Sequence, residues 1–293
     1  MKNFMKKLII DTDMGPDCDD AGALAVAHAL ADKGEAKILA VNCATSSKGG
    51  ARCIQAINTY YGREDILVGE LKDKDFCCLP HYELFNNEIG KPFEKMEFPS
   101  AVTVMRRVLA AEEGVTLVTI GPLRNIYQFM KSEPDEISPL SGMELLKRLD
   151  RVVCVGGDYK VGNREFNFVS DITASRYFLE KCPVPILFSG YEIGVHIPTG
   201  AILETRHKDN PVRRAYEIFA GKGKNHTSFD LTAVYCAVRD PEPLFKVVSP
   251  VTAVIRSDET TAVKKGGKDA YLKEKMPPDK VGEILDELLI TRP

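Results

Sequence analysis

Five aspartates lie within ten residues near the start of this 293-residue chain, at positions 11, 13, 17, 19 and 20. Carboxylates that lie so close repel one another unless a positive charge sits between them. A hard divalent cation such as Ca²⁺ or Mg²⁺, which prefers oxygen ligands, is their simplest partner. An EF-hand loop starting at Asp11 is excluded, because Pro16 stands where that loop needs glycine and Gly22 where it needs glutamate.

The flanking segments predict where these aspartates lie in the fold. The apolar run Leu8 to Ile10 predicts a buried strand. The small and apolar residues from Ala21 to Leu30 predict a helix packed on a sheet. The acidic stretch is then a strand-to-helix loop at the carboxyl edge of a sheet, where open α/β folds bind ligands. The last three aspartates could instead only cap the helix, but that alternative does not explain Asp11 and Asp13.

Polar side chains also follow three later apolar segments. Gly121 and Pro122 predict a sharp turn directly after one of them. Glu165 and Asn167 alternate with two phenylalanines, so an extended backbone there would aim both polar groups at one side. Asp230 opens an otherwise apolar helix, where it could also serve as a simple N-cap.

Strand-like and helix-like segments alternate along most of the chain. This pattern predicts an α/β fold with an open, mostly parallel sheet flanked by helices. We expect one domain over residues 1–293, with a more helical part after about Gly200. The predicted strands are Leu8–Ile10, Ile38–Cys43, Asp65–Val68, Val115–Ile120, Arg151–Val155, Pro185–Phe188 and Val251–Ile255. The predicted helices are Ala21–Leu30, Ala51–Tyr61, Val102–Ala111, Asn125–Met130, Ile172–Leu179, Val212–Phe219, Leu231–Val238 and Asp279–Ile290.

Two segments between these elements look irregular, Lys72 to Ser100 and Gly221 to Phe229. The second combines Gly, Lys, Asn and His, a composition typical of a mobile active-site loop.

The composition limits the classes of function. The net charge of −3 gives no indication of a nucleic-acid or membrane partner. The basic start, Met1 to Lys7, is followed by only three apolar residues, so we expect no signal peptide and a cytoplasmic protein. The eight cysteines include no CxxC pair, which argues against a zinc site or a secreted disulfide framework.

Taken together, these motifs resemble the inosine-uridine-preferring nucleoside hydrolase family, in a variant with a longer acidic motif. The resemblance runs from Ile9 to about Phe245. The matching pieces are the acidic start that ends in Asp19-Asp20-Ala21, Gly121-Pro122-Leu123-Arg124-Asn125, Gly156-Gly157 with Glu165-Phe166-Asn167, and Asp230 before Ala233-Val234. Four motifs in this order are far more specific than any one of them.

The resemblance implies a Ca²⁺-dependent hydrolase of the N-glycosidic bond of ribonucleosides, which gives ribose and a free base. It implies that Asp13, Asp20, the carbonyl oxygen of Ile120 and Asp230 bind the Ca²⁺. Asp13 would also be the general base that takes a proton from water held by the ion. The sugar would pass through an oxocarbenium-like transition state.

The same resemblance assigns the ribose contacts. Asp19 would hold the ribose hydroxyls, and Glu165 and Asn167 would bind the sugar further along. The amide oxygen of Asn167 would also help to stabilise the positive charge that develops on the sugar. The asparagine of the glycine-rich loop in the family falls at Asn163, although its spacing to Glu165 differs.

Two features depart from the family pattern. The acidic motif is two residues longer, so that Asp17 could replace Asp19 at the sugar or reach the metal. Well-known members place a histidine directly before the late aspartate, where it protonates the leaving base, but this chain has Phe229 there. A phenyl ring cannot donate a proton, although it can stack on a nucleobase. His226, on the preceding loop, is the candidate for that role.

The resemblance also implies nucleoside catabolism, including purine salvage, and a homo-oligomer, either a dimer or a tetramer. Two other functions are open at this point. A phosphatase of the haloacid-dehalogenase type would use Asp11 as nucleophile and Asp13 as acid and base with Mg²⁺. A catalytically silent protein that binds Ca²⁺ and ribose would keep the fold without the reaction.

Overall fold

The computed structural model describes residues 5–291, so the first four residues of the basic N-terminal stretch lie outside the described residues. Its main feature is a nine-stranded sheet with the strand order β10-β9-β11-β6-β5-β4-β1-β2-β3. These strands, and the short pair β7 and β8, are β1 (Lys6–Thr12), β2 (Ala36–Cys43), β3 (Leu67–Glu70), β4 (Val115–Ile120), β5 (Leu149–Val155), β6 (Ile186–Ser189), β7 (Pro198–Thr199), β8 (His226–Thr227), β9 (Phe245–Ile255), β10 (Thr261–Lys265) and β11 (Asp269–Glu274).

Helices connect the strands and cover the sheet. They are α1 (Asp19–Asp32), α2 (Gly50–Tyr60), α3 (Asn86–Ile89), α4 (Ala101–Ala111), α5 (Arg124–Met130), α6 (Gly142–Leu146), α7 (Phe166–Ser170), α8 (Ile172–Lys181), α9 (Tyr191–Gly194), α10 (Pro211–Phe219), α11 (Phe229–Val238) and α12 (Pro278–Leu289). Three short 3₁₀ helices lie at Pro80–Glu83, Lys91–Phe93 and Ala201–Thr205. No helix in the described part of the chain is long and apolar enough to cross a membrane.

The sheet is parallel from β3 through β11, and at its far edge β9 pairs antiparallel with β11 and β10 pairs antiparallel with β9. Both faces of β1 are buried, since Leu8 and Ile10 belong to one hydrophobic core and Ile9 to the other. A near-continuous apolar run is the sequence pattern of such a strand. The loops after β1, β4, β5 and β6 therefore meet at the carboxyl edge of the sheet, where open α/β folds place ligands.

Helix α1 is almost entirely buried because it packs under α11 and α12 on one face of the sheet. Its alanine-rich sequence allows the close approach, and its hydrophobic residues surround the helix rather than forming one stripe. The first turn of α1 therefore lies directly beside the first turn of α11.

The predicted α/β fold is confirmed, and most predicted elements agree within a few residues. Two local predictions are wrong. The backbone at Glu165 does not continue as an extended chain, because its carboxylate caps a short helix that begins at Phe166. The part after Gly200 also contains β10 and β11 as well as the expected late strand, which is longer than predicted and forms an antiparallel extension of the sheet. The alternation of charged and apolar residues in β10 and β11 is too short to separate them from a loop.

Candidate active site

A cavity of about 260 Å³ opens at the carboxyl edge of the sheet. Five carboxylates line it, and they come from segments far apart in the sequence: Asp13, Asp17, Asp19, Glu165 and Asp230. The cavity also has Asn167 and Ile120 in its wall, whereas neither lysine nor arginine lines it among the described residues. The structure thus brings together most of the residues that the sequence predicts for the site.

The deepest part of the site is a cluster of buried aspartates. One carboxylate oxygen from each of Asp19, Asp20 and Asp230 lies within 4.8 Å of the other two. Asp13 is not in this triad, but its negative charge helps to raise the pKa of the Asp20 carboxyl. Burial and mutual repulsion raise the pKa of all four carboxyls well above the usual range.

These residues fit a divalent cation. Asp20 is buried, and its Oδ2 atom has no hydrogen-bond partner. Several carboxylate oxygens around one point are the donor set that Ca²⁺ or Mg²⁺ takes, and a cation there would offset the repulsion among them. Ile120 ends β4 and lines the same cavity.

Side-chain hydrogen bonds and one close backbone approach hold the acidic loop in place. The Thr12 hydroxyl donates to Asp20 Oδ1, and the same hydroxyl oxygen accepts a hydrogen bond from the Met14 amide at 3.1 Å. Asn86 Nδ2 donates to the Met14 carbonyl oxygen at 2.7 Å. Gly15 adopts φ +135°, and a Cβ there would lie 2.3 Å from the Tyr82 carbonyl oxygen. Only glycine lets the loop pass so close to this segment.

Gly121 permits a second close approach. A Cβ on Gly121 would lie 2.7 Å from the Asp13 backbone nitrogen and 3.0 Å from Asp13 Oδ1. The glycine after β4 therefore allows Ile120 and Asp13 to approach each other at the cavity floor. The sequence predicts the turn here, but the packing reason for glycine is visible only in the fold.

Asp19 links two distant helices. Its Oδ2 atom accepts hydrogen bonds from the backbone amides of Phe229 and Asp230, at 2.8 and 3.1 Å. Since these amides begin α11, Asp19 on α1 caps a helix 210 residues away. Asp19 also lines the cavity, so that the cap and a substrate contact are compatible.

Asp17 and His226 form a pair at the edge of the cavity. His226 Nε2 lies 3.3 Å from Asp17 Oδ2. Asp17 lines the cavity, but His226 is not among the described residues in its wall. Burial lowers the pKa of His226, while the nearby charge of Asp19 opposes this effect. The loop that carries His226 is tied down where β8 pairs with β7.

Glu165 lines the cavity and also accepts hydrogen bonds from the backbone. Its Oε1 accepts from the Asn167 amide at 2.8 Å, and its Oε2 accepts from Gly157 at 3.0 Å and Phe168 at 3.1 Å. These bonds start α7 and hold the glycine-rich loop against it. Burial nevertheless raises the pKa of Glu165 to about 7. Asn167 Nδ2 donates to the Val155 carbonyl oxygen at 3.2 Å, which fixes its amide beside the cavity.

Asn163 lies apart from these residues. It is exposed, it is not among the described residues of the cavity wall, and its amide donates to Asp158 Oδ2 at 2.7 Å. Its expected contact with the sugar remains a prediction.

Asp11 also lies outside the cavity wall, among the buried residues beneath it. Asn125 Nδ2 donates to Asp11 Oδ1 at 2.9 Å, and burial raises the pKa of Asp11 to about 7. A nucleophile must reach its substrate, so this position does not favour the phosphatase scheme.

The sequence did not predict three aromatic residues of the cavity wall: His81, Tyr82 and Tyr191. His81 and Tyr82 belong to the irregular segment after Lys72, which has no periodic pattern to place it. Tyr191 lies two residues after the end of β6, so its position at the carboxyl end of a predicted parallel strand was a usable signal. Phe166 and Phe229 complete the aromatic part of the wall.

Comparisons with known proteins agree with this geometry. The family model described as inosine-uridine preferring nucleoside hydrolase matches residues 8–277. The pyrimidine-specific ribonucleoside hydrolase RihA of Enterobacter sp. (strain 638) is 29% identical over 205 residues, which cover 64% of this chain and 60% of that protein. The chain thus spans about 60% of the length of the curated relatives it matches.

Solved structures show the same fold. A plant nucleoside hydrolase, PpNRh1, superposes with a TM-score of 0.72 at 21% identity, and the match covers 98% of this chain and 99% of that one. An inosine-uridine preferring nucleoside hydrolase from Bacillus anthracis superposes with a TM-score of 0.73 at 15% identity, and the match covers 98% and 100%. Because the family model matches most of the chain and the motifs converge on one cavity, this protein belongs to the inosine-uridine preferring nucleoside hydrolase family.

Proposed function

We propose that this protein hydrolyses the N-glycosidic bond of ribonucleosides in a Ca²⁺-dependent reaction. The observation that carries this proposal is the convergence of Asp13, Asp19 and Asp230 at one cavity that also contains Asn167, with Asp20 buried beside Asp19 and Asp230. Membership of the nucleoside hydrolase family supports it, as does the similarity to a ribonucleoside hydrolase.

We assign Asp13, Asp20, Asp230 and the carbonyl oxygen of Ile120 as the ligands of Ca²⁺. When bound, the ion would orient the ribose hydroxyls and make a water molecule easier to deprotonate. The all-oxygen donor set and the burial of the three aspartates support this assignment.

The side chains divide the remaining work. Asp13, whose carboxylate lies in the cavity wall, accepts the proton of the attacking water. Asp19 and Glu165 hold the ribose hydroxyls, with Asp17 as a further contact at the rim. The Asn167 amide and the carboxylates stabilise the positive charge that develops on the sugar as the C–N bond breaks.

For a neutral leaving base, we assign proton donation to His226, whose pairing with Asp17 supports a place near the base. Phe229 lines the cavity and offers the base a ring to stack on. Replacing His226 by alanine should then slow inosine hydrolysis while sparing a riboside with a phenolic leaving group. Equal turnover of inosine by both proteins would remove His226 from the mechanism.

We also propose that the protein is cytoplasmic, works as a dimer or tetramer and takes part in nucleoside catabolism, including purine salvage. The family resemblance supports these assignments. The described part of the chain has no helix that could span a membrane, which is compatible with them.

The deciding experiment measures base release from a panel of purine and pyrimidine ribonucleosides, with and without a chelator. The native protein and its Asp13→Ala variant are compared. We expect chelator-sensitive release that falls by roughly 10²–10⁴-fold in the variant, the usual contribution of a general base. Ribose and Ca²⁺ binding without release of any base would instead indicate a silent binding protein.

A further inference from the structure

The cavity wall has two chemically different parts. Besides the carboxylates, the wall has a patch of aromatic side chains that includes Phe166, Tyr191 and Phe229. Among the described residues only eight large hydrophobic side chains are exposed, and two of them, Phe166 at 48% and Tyr191 at 43%, line this cavity. Exposed aromatic rings at the mouth of a polar site indicate a binding surface rather than a core.

Two of these rings pack against each other. Tyr191 stacks on Phe229 with ring centroids 5.5 Å apart and an interplanar angle of 24°. Phe229 directly precedes Asp230, so that this stack adjoins the acidic cluster. The face of an aromatic ring carries partial negative charge and attracts a cation that lies over it.

The charged side chains of the wall also favour a positively charged ligand. Five carboxylates line the cavity, and neither lysine nor arginine does so among the described residues. A bound divalent cation would offset two of those negative charges, which leaves an excess of carboxylates. Such a cavity concentrates positively charged ligands and repels anions such as nucleotides.

We propose that this site prefers N-ribosides whose base carries a fixed positive charge, with the Tyr191–Phe229 stack as the surface that binds the charged ring. This inference rests on the proposed N-ribosyl hydrolysis and names its substrate class. The quaternised heteroaromatic base matches both the aromatic rings and the acidic wall.

The chemistry of the leaving group supports the same class. When the C–N bond of such a substrate breaks, the electron pair moves to the ring nitrogen and cancels its positive charge. Water adds to the anomeric carbon and loses one proton to Asp13, so the products are ribose, a neutral base and a proton. The base needs no proton donor, which suits a wall with a phenyl ring at residue 229 and with His226 outside it.

The test compares kcat/KM for N-ribosylpyridinium, uridine, inosine and para-nitrophenyl riboside, each divided by its uncatalysed rate. We expect the cationic riboside to exceed the two neutral nucleosides by about tenfold or more, as a cation–π contact of about 1.4 kcal/mol would give. Tyr191→Leu should lower kcat/KM for the cation about tenfold, mainly through KM, and that for para-nitrophenyl riboside by less than about threefold. Tyr191→Phe, which keeps the ring, should restore the preference.

Two results would overturn the inference and leave the proposed function intact. One is use of inosine or uridine that equals or exceeds use of the cationic riboside. The other is an equal effect of Tyr191→Leu on all four substrates. Failure to hydrolyse even para-nitrophenyl riboside, whose leaving group needs no proton, would refute the proposed function and this inference with it.

Discussion

Gly121, which has no Cβ, allows the turn after β4 to lie close to Asp13. Alanine there would place its Cβ 2.7 Å from the Asp13 nitrogen, closer than real side chains pack, and neither backbone can move freely because each residue directly follows a buried strand. We expect Gly121→Ala to lower kcat/KM at least about tenfold and the free energy of unfolding by about 1–3 kcal/mol. Steady-state kinetics and urea unfolding would measure the two effects.

Gly114→Ala is the matched control for this substitution. A Cβ at Gly114 meets nothing closer than 3.7 Å, although φ +67° strains any other residue. The control should therefore lose about 1 kcal/mol of stability but keep its activity. If Gly121→Ala retained full activity, the close approach would have no role in placing Asp13.

At the scale of the element, α7 depends on the carboxylate that precedes it. Glu165 accepts three backbone hydrogen bonds through its two oxygens. In Glu165→Gln one carboxylate oxygen is replaced by an amide NH₂ group. At least one backbone N–H then faces another donor instead of an acceptor. We expect the free energy of unfolding to fall by about 1–3 kcal/mol, the cost of an unsatisfied buried donor, and KM for the riboside to rise as Asn167 shifts. Thermal unfolding and initial rates would show both changes.

Glu259→Gln is the corresponding control because Glu259 pairs with the exposed Arg164 near the surface. Such pairs contribute little, so its stability should change by less than about 0.5 kcal/mol. Equal effects of the two substitutions would mean that the three backbone bonds of Glu165 do not stabilise α7.

The last helix, α12, is tied to the turn after β7 by a titrating group. Asp286 Oδ1 accepts from the Gly200 amide at 2.9 Å, and burial raises the pKa of Asp286 from 3.8 to about 6. A raised carboxyl pKa means that the folded state holds the proton more tightly. Its stabilising effect is therefore complete below about pH 4 and is lost as the pH rises through about 6.

Asp286→Asn keeps the acceptor and cannot ionise. We expect the unfolding free energy of the variant, relative to the native protein, to rise by about 1 kcal/mol between about pH 4 and pH 7, after allowance for partial exposure. Urea unfolding at both pH values measures it. Asp279→Asn on the same helix, where the side chain is exposed, should show no such pH dependence. A pH-independent difference for Asp286→Asn would contradict the prediction.

For the whole molecule, the sequence predicted the α/β fold and the convergence of its acidic motifs, because parallel strands bring their carboxyl ends to one edge. It could not predict that Asp19 caps α11, since that contact spans 210 residues and depends on the packing of α1 against α11. The wall residues His81 and Tyr82 also escaped prediction. They come from a segment whose course is set by tertiary contacts such as the Asn86 side chain bonding to Met14.

The acidic cluster connects two segments that lie far apart in the sequence, because it joins the first turns of α1 and α11. Without a cation, Asp20 is a buried carboxyl surrounded by the charges of Asp13, Asp17 and Asp19, and its pKa is raised well above the usual range. Burying like charges together costs stability, so the fold carries a strain that a bound ion would relieve. Stability and metal binding should therefore respond in opposite directions to the loss of one of these charges.

Asp20→Asn tests this coupling. The amide oxygen can still accept from Thr12, while one negative charge is gone. In chelator we expect the variant to exceed the native protein in unfolding free energy by about 1–3 kcal/mol. With Ca²⁺ at about 100 times its Kd, the native protein should gain about 2.7 kcal/mol in unfolding free energy and the variant much less. The variant should then no longer be the more stable of the two. Thermal unfolding with and without Ca²⁺ measures both, and the exposed Asp65→Asn should follow the native protein throughout. An undiminished Ca²⁺ response in Asp20→Asn would show that the ion does not hold α1 to α11 through this carboxylate.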